Sequence, residues 1–152
     1  MSAITVIKEV KKIHKEEVLL VKIGDFYHCY GKDAYIMSYL FNYKLRKTRD
    51  NYYTCGFPEK SIGKIENVLV NKKINYIILD SRDNYNIDTY ENYKNLNNYR
   101  SILEKAKKTI KVKEEIYSIY NKLKKKINDV NIYDKIRSIN KIIEDKDEGR
   151  KV

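Results

Sequence analysis

The sequence predicts an α/β (α+β) protein. A mixed β-sheet flanked by helices is expected over residues 1–90, followed by a C-terminal helical hairpin or long helices over 91–152. Two observations carry this reading. In the first 90 residues, short apolar and aromatic runs of strand length alternate with stripes of helical period, which argues for helices packed on a sheet. After residue 90 only helical periods remain. A length of 152 residues suits one domain, or one small domain with an appendage, and is enough to bury a core.

The elements follow in order. Ser2–His14 carries apolar residues at Ile4, Ile7, Val10 (or Lys11) and then His14, the pattern of an amphipathic helix. Val18–Ile23 reads as a short buried strand. Phe26–Tyr30 reads as a second strand, reached through Gly24-Asp25. Asp33–Leu40 is expected to be a helix with Ala34, Met37 and Leu40 facing inward. Tyr43–Lys47 and Tyr52–Phe57 read as strands joined by the basic turn RKTRDN (46–51), and Pro58 ends the second. Ser61 is placed to cap a helix running through Asn71, with a stripe of Ile62, Ile65 and Val68 (or Leu69). Tyr76–Leu79 is the last strand.

Beyond residue 90, apolar positions recur at Leu96, Tyr99, Leu103, Ala106 and Ile110, then at Val112, Ile116, Ile119 (or Tyr120), Leu123 and Ile127. The phase slips between Ile110 and Val112, which marks a bend, a stutter or a break between two helices. A second stripe, Ile132, Ile136, Ile139 and Ile143, follows a turn expected near 128–131. The last residues, EDKDEGRKV, are expected to fray.

Composition narrows the function. There are 32 Lys and Arg against 21 Asp and Glu, a net charge of +11, which favours polyanions and nucleic acid first among them. The excess is divided between the two parts: residues 1–90 carry 15 basic and 11 acidic side chains (+4), residues 91–152 carry 17 and 10 (+7). The most basic run, KLKKKI (122–127), reads as a solvated helix face. Fifteen tyrosines with no Trp fit either a base-stacking surface or an AT-rich genome's supply of core aromatics. Cys29 and Cys55 have no partner cluster, so they are expected to be reduced thiols and no metal site is indicated. No apolar run reaches the ~20 residues needed to span a membrane, and MSAITVIKEVKKIHKEE lacks the apolar core of a signal peptide; a cytoplasmic location is expected.

Two blocks carry a resemblance. VLLVKIGDFYHCYGKDA (18–34), followed by CGFPEKSIGKIENVLVNKKINYIILD (55–80), resembles the N-terminal mismatch-recognition domain of the MutS family. That family shows an apolar strand, then Gly-Asp-Phe-Tyr-Glu, then Asp-Ala opening a helix, and later Ala-Gly-Ile-Pro, a helix and a closing strand. The resemblance covers about residues 5–82. It implies that Phe26 enters the minor groove as a wedge and stacks on a mispaired or unpaired base. It also implies a backbone contact by Lys60. Where the family has a glutamate that hydrogen-bonds the base, this sequence has His28, which leaves mismatch preference open. Charge alone adds Arg46, Lys47 and Arg49, around Thr48, as phosphate contacts.

No G-x-x-x-x-G-K-[ST] phosphate loop occurs, and 152 residues cannot hold the connector, lever, clamp and ATPase parts of a full MutS protein. The expected function is therefore a non-enzymatic module without cofactor that binds distorted or mismatched duplex DNA, DNA or RNA being undecided by sequence. Its C-terminal helices are expected to serve a homodimer or a protein partner. The alternative is a protein-interaction adaptor that kept the fold and lost DNA reading. A metal-dependent nuclease is the weakest alternative, because Asp25, Glu66 and Asp80 lack the spacing such sites use.

Overall fold

The computed structural model describes residues 2–85 and 97–148. The chain forms two compact units, Met1–Ile110 and Lys111–Val152. The boundary expected between 90 and 91, and Leu96 of the first stripe, lie outside the described residues.

The first unit is built on a five-stranded sheet in the order β3-β4-β2-β1-β5. Its strands are β1 (Val18–Ile23), β2 (Phe26–Tyr30), β3 (Arg46–Lys47), β4 (Tyr53–Pro58) and β5 (Tyr76–Asp80). Only β1 and β5 run parallel; the other pairs are antiparallel, so the sheet is mixed. The helices are α1 (Ala3–Ile13), α2 (Lys32–Phe41), α3 (Ile62–Asn71) and the start of α4 (Tyr99–Lys125). The α+β class expected from the sequence is the one observed.

Local chemistry explains the boundaries. Ser2 caps α1, its hydroxyl accepting from the Thr5 amide at 3.3 Å. Gly24 has φ +62, as the first position of a two-residue hairpin loop requires, and it places Ile23 opposite Phe26. Asn42, left-handed at φ 58, ends α2. The Ser38 hydroxyl then donates to the Tyr43 carbonyl at 2.6 Å and draws the chain back against the helix. For that reason the expected strand Tyr43–Lys47 shrinks to Arg46–Lys47: Tyr43 and Leu45 pack against the core from a loop. Ser61 precedes α3 but makes no side-chain cap, because the short 3₁₀ turn Glu59–Ser61 already puts it in helical geometry.

Each face of the sheet is buried by different helices. On one, Val18, Leu20, Tyr27, Cys29, Cys55 and Phe57 pack against α2, α3 and the first turns of α4. Ile65 and Leu69 point inward from α3, so the stripe runs through Leu69 rather than Val68. On the other face, Leu19, Val21, Ile77 and Leu79 are covered by Ile7 and Val10 of α1. Each such aliphatic side chain contributes about 1.5–3 kcal/mol on burial. The α1 cluster lies over β1 and β5. The same face of β2 and β4 is left open around Phe26, which is half-exposed, and Gly56, which is exposed. Both cysteines are free and buried, as directly opposed residues of β2 and β4.

The second unit holds the rest of α4, a turn, and α5 (Ile132–Glu148). The phase slip at Ile110–Val112 produces no break: α4 is one continuous helix. Its buried residues are Tyr99, Ile102, Leu103 and Ala106, all before the slip. After it, Val112, Ile116, Ile119 and Tyr120 are exposed. The α4–α5 turn is held by Asp129, which accepts from the Asn131 and Ile132 amides at 2.9 and 3.1 Å. Ile132 is buried, but Ile136, Ile139 and Ile143 are exposed, so the two helices close no core of their own. α5 stays helical through Glu148, which includes the first five residues of the tail expected to fray; residues 149–152 lie outside the described residues. The 122–125 lysines stand on an exposed helix face, as expected. Among the described residues no helix is long and apolar enough to cross a membrane.

Candidate nucleic-acid interface

Strand β2 positions the site. Its side chains alternate: Tyr27 and Cys29 are buried in the core, while Phe26, His28 and Tyr30 lie on the other face, where Phe26 is half-exposed and Tyr30 packs against the α1 cluster. The Tyr27 ring stacks on Phe57 at 5.3 Å between centroids, and Tyr43 stacks on Phe57 at 5.7 Å. This stack secures Tyr27 inside the sheet, so its neighbour Phe26 must face outward. Phe26 is 50% exposed at the first position of the strand.

The turn beside Phe26 is braced. The Glu59 amide donates to the Asp25 carbonyl at 2.8 Å, and Lys22 reaches the Glu59 carboxylate at 2.5 Å. Pro58 lies opposite Phe26, so the next turn brings Lys60, which is exposed, to the same edge of the sheet.

His28 lies opposite Gly56. A Cβ on Gly56 would come within 3.1 Å of the Tyr27 carbonyl oxygen and 3.3 Å of His28 Nδ1, so a side chain there would press on the imidazole. Burial holds the His28 pKa below its ordinary value. Burial thus favours the neutral ring, which offers one donor and one acceptor. The next ring on the same face, Tyr30, is 6.5 Å away.

Phe26, His28 and Arg46 come together around one open recess of about 340 Å³, with Tyr43, Lys44 and Gly56 completing much of its wall. Lys60 flanks it. Lys47 does not join this group: it alternates with Arg46, and its ammonium lies 5.4 Å over the Tyr53 ring. Arg49 stands exposed in the Thr48–Asn51 turn. Sequence reasoning missed Lys44 and Gly56. Strand pairing signals Gly56, whereas nothing local distinguishes Lys44 from other surface lysines.

A family model of MutS domain I matches residues 3–122. The chain belongs to the MutS domain I family. MutS domain I is a non-catalytic DNA-recognition domain, and the fold described above is its mismatch-recognition fold. The match runs past the expected limit near residue 82 and into α4, in keeping with the packing of Tyr99, Ile102 and Leu103 in the domain core. Comparison with curated proteins returns no match. Within the MutS domain I frame, GDFYH carries its phenylalanine half-exposed at the start of β2 and its tyrosine in the core. Among the described residues no group of three or more His, Cys, Asp or Glu side chains is arranged to hold a metal ion.

Proposed function

We propose that this chain binds duplex DNA and reads distorted or mismatched positions with Phe26 as a minor-groove wedge. The observation that carries the reading is the exposure of a large aromatic side chain, Phe26, at a braced strand start beside a recess containing Arg46 and Lys44. A side chain needed only for burial has no reason to be there, because Tyr27 already fills the core position.

The energetics favour damaged or mispaired sites. Inserting a wedge costs a few kcal/mol of stacking per base step. A mispaired or bulged base is already poorly stacked, so the same insertion costs less there, and preference arises from deformability without a base-specific code. His28 supplies one hydrogen bond to a base edge in its neutral form. Arg46, Lys44 and Lys60 supply phosphate contacts, which set affinity and its salt dependence. Lys47 and Arg49 serve the same backbone from the edge of the sheet. The module works without catalysis or cofactor in this reading.

Fluorescence anisotropy with matched duplexes, one perfect and one carrying a single unpaired base, tests the proposal. Tighter binding to the bulged duplex supports it; equal binding removes the wedge from the function.

A second reading has its own observation. The exposed stripe Ile136, Ile139 and Ile143 on α5 supports an adaptor or self-associating role for the C-terminal helices.

A further inference from the structure

At the far end of β2, where Tyr30 packs against the α1 cluster, lies a second recess of about 290 Å³, lined by residues of α1, the start of α2 and the turn before β4. Lys8, Lys11, Lys15 and Lys32 converge there with Tyr30 and Tyr52. The neighbouring acids are already engaged. Asp33 takes Lys11 at 3.0 Å, Glu9 takes Lys12 at 2.7 Å, Glu17 lies 2.6 Å from His14, and Glu16 pairs with Arg100. Among the described residues, Lys8, Lys15 and Lys32 have no carboxylate within ion-pair distance, and all three are exposed. Lys8 is held over the Tyr52 ring at 5.3 Å, and the Tyr52 ring lies 4.0 Å from where a Gly31 Cβ would stand, so the floor is flat and aromatic.

We propose that this lysine recess is a second nucleic-acid backbone site, continuous with the Phe26 recess along the outward face of β2, so that one duplex engages both. The inference rests on DNA binding as proposed above and deepens it. Phe26 and Tyr30 are four residues apart on one strand, about 13 Å at the usual rise of a strand. Between them on that face stands His28, 6.5 Å from Tyr30, which lines the lysine recess while packing against the α1 cluster. Three ammonium groups without a carboxylate partner among the described residues, beside an aromatic ring, attract phosphates and carry no base code. This site therefore sets affinity while the Phe26 end sets preference.

The experiment compares the full chain with K8Q/K15Q/K32Q. A control of equal charge, K64Q/K72Q/K105Q, alters exposed lysines on or beside α3 and α4, the helices that cover the opposite face. Affinity for perfect and bulged duplex is measured from 50 to 300 mM salt, with melting curves to confirm folding. The recess variant is expected to lower the slope of log affinity against log salt by about 2–3, as loss of three phosphate contacts requires. It should weaken both duplexes equally and keep any preference between them, while the control changes the slope by less than one. An unchanged slope in the recess variant, or an equal fall in the control, overturns the inference. If the wild-type protein shows no bulge preference yet the slope falls as expected, the wedge fails and the backbone site stands. Absence of duplex binding at 50 mM salt overturns both.

Discussion

The Tyr99 hydroxyl donates a 2.6 Å hydrogen bond to the carboxyl of Asp33, a residue 66 positions earlier that is almost fully buried. The same carboxyl accepts from the Leu19 amide and from Lys11 Nζ, each at 3.0 Å. One side chain thus ties α1, β1, α2 and α4 together. Burial raises the Asp33 pKa, and the Lys11 charge and these hydrogen bonds oppose that rise. Removing one donor leaves a buried acceptor short of a partner. Tyr99→Phe is expected to cost about 1–3 kcal/mol of stability, read from urea unfolding. An unchanged midpoint would mean that α4 docks by its apolar residues alone.

His28 gives a pH dependence with a definite sign. Its unfolded pKa is about 6.5, and burial lowers it in the folded protein. Below the unfolded value the unfolded chain binds more protons, so stability falls as pH drops through the window beneath 6.5. His28→Gln should lose less melting temperature than wild type between pH 7.5 and 5.5. Gly56→Ala, by pushing the imidazole toward solvent, should move the His28 titration back toward its ordinary value by NMR. Equal losses in melting temperature, or an unmoved titration, would show that the imidazole is not held as described.

The α5 stripe predicts self-association. Ile136, Ile139 and Ile143 are exposed on one helix, next to a mixture of both charges on the same element. Sedimentation of the full chain at tens of micromolar should show a dimer, and Ile136→Glu with Ile139→Glu should return a monomer. A wild-type monomer at that concentration argues against the stripe as a contact between copies.

ATP should neither bind nor be hydrolysed by this chain, since no phosphate loop occurs among its 152 residues. Equilibrium dialysis giving micromolar affinity would contradict this.

Much of the sheet is legible in the sequence because its signals are local. Gly24 and Asp25 between two apolar runs fix the β1–β2 hairpin, and alternation within FYHCY is enough to separate Tyr27 from Phe26. What is not legible depends on partners distant in the chain. Asp33 reads as a first-turn helix acid, and only Tyr99 and Lys11 together make it a buried clasp. Tyr43 has strand propensity, but its stacking on Phe57 and Phe41 outweighs a ladder that only Arg46 and Lys47 join. The slip at Ile110–Val112 reads as a bend, a stutter or a break, and the continuous helix excludes only the break; after the slip no core constrains the stripe, so its phase carries no information about a break. The recess residues Lys44, Lys8 and Lys32 look like any surface lysine until the fold brings them beside aromatic rings.

The central claim is that Phe26 acts on nucleic acid and not on the core, and Phe26→Ala measures both at once. Base–aromatic stacking is worth about 1–3 kcal/mol, so affinity for a bulged or mismatched duplex should fall roughly tenfold to a hundredfold. Binding to perfect duplex, which rests on lysines and arginines, should barely change. Melting should shift little, because a half-exposed ring leaves little core behind it, whereas truncating a buried Phe costs about 3–5 kcal/mol. A large loss of stability, or equal loss of affinity for the two duplexes, would contradict the wedge and return Phe26 to a structural role.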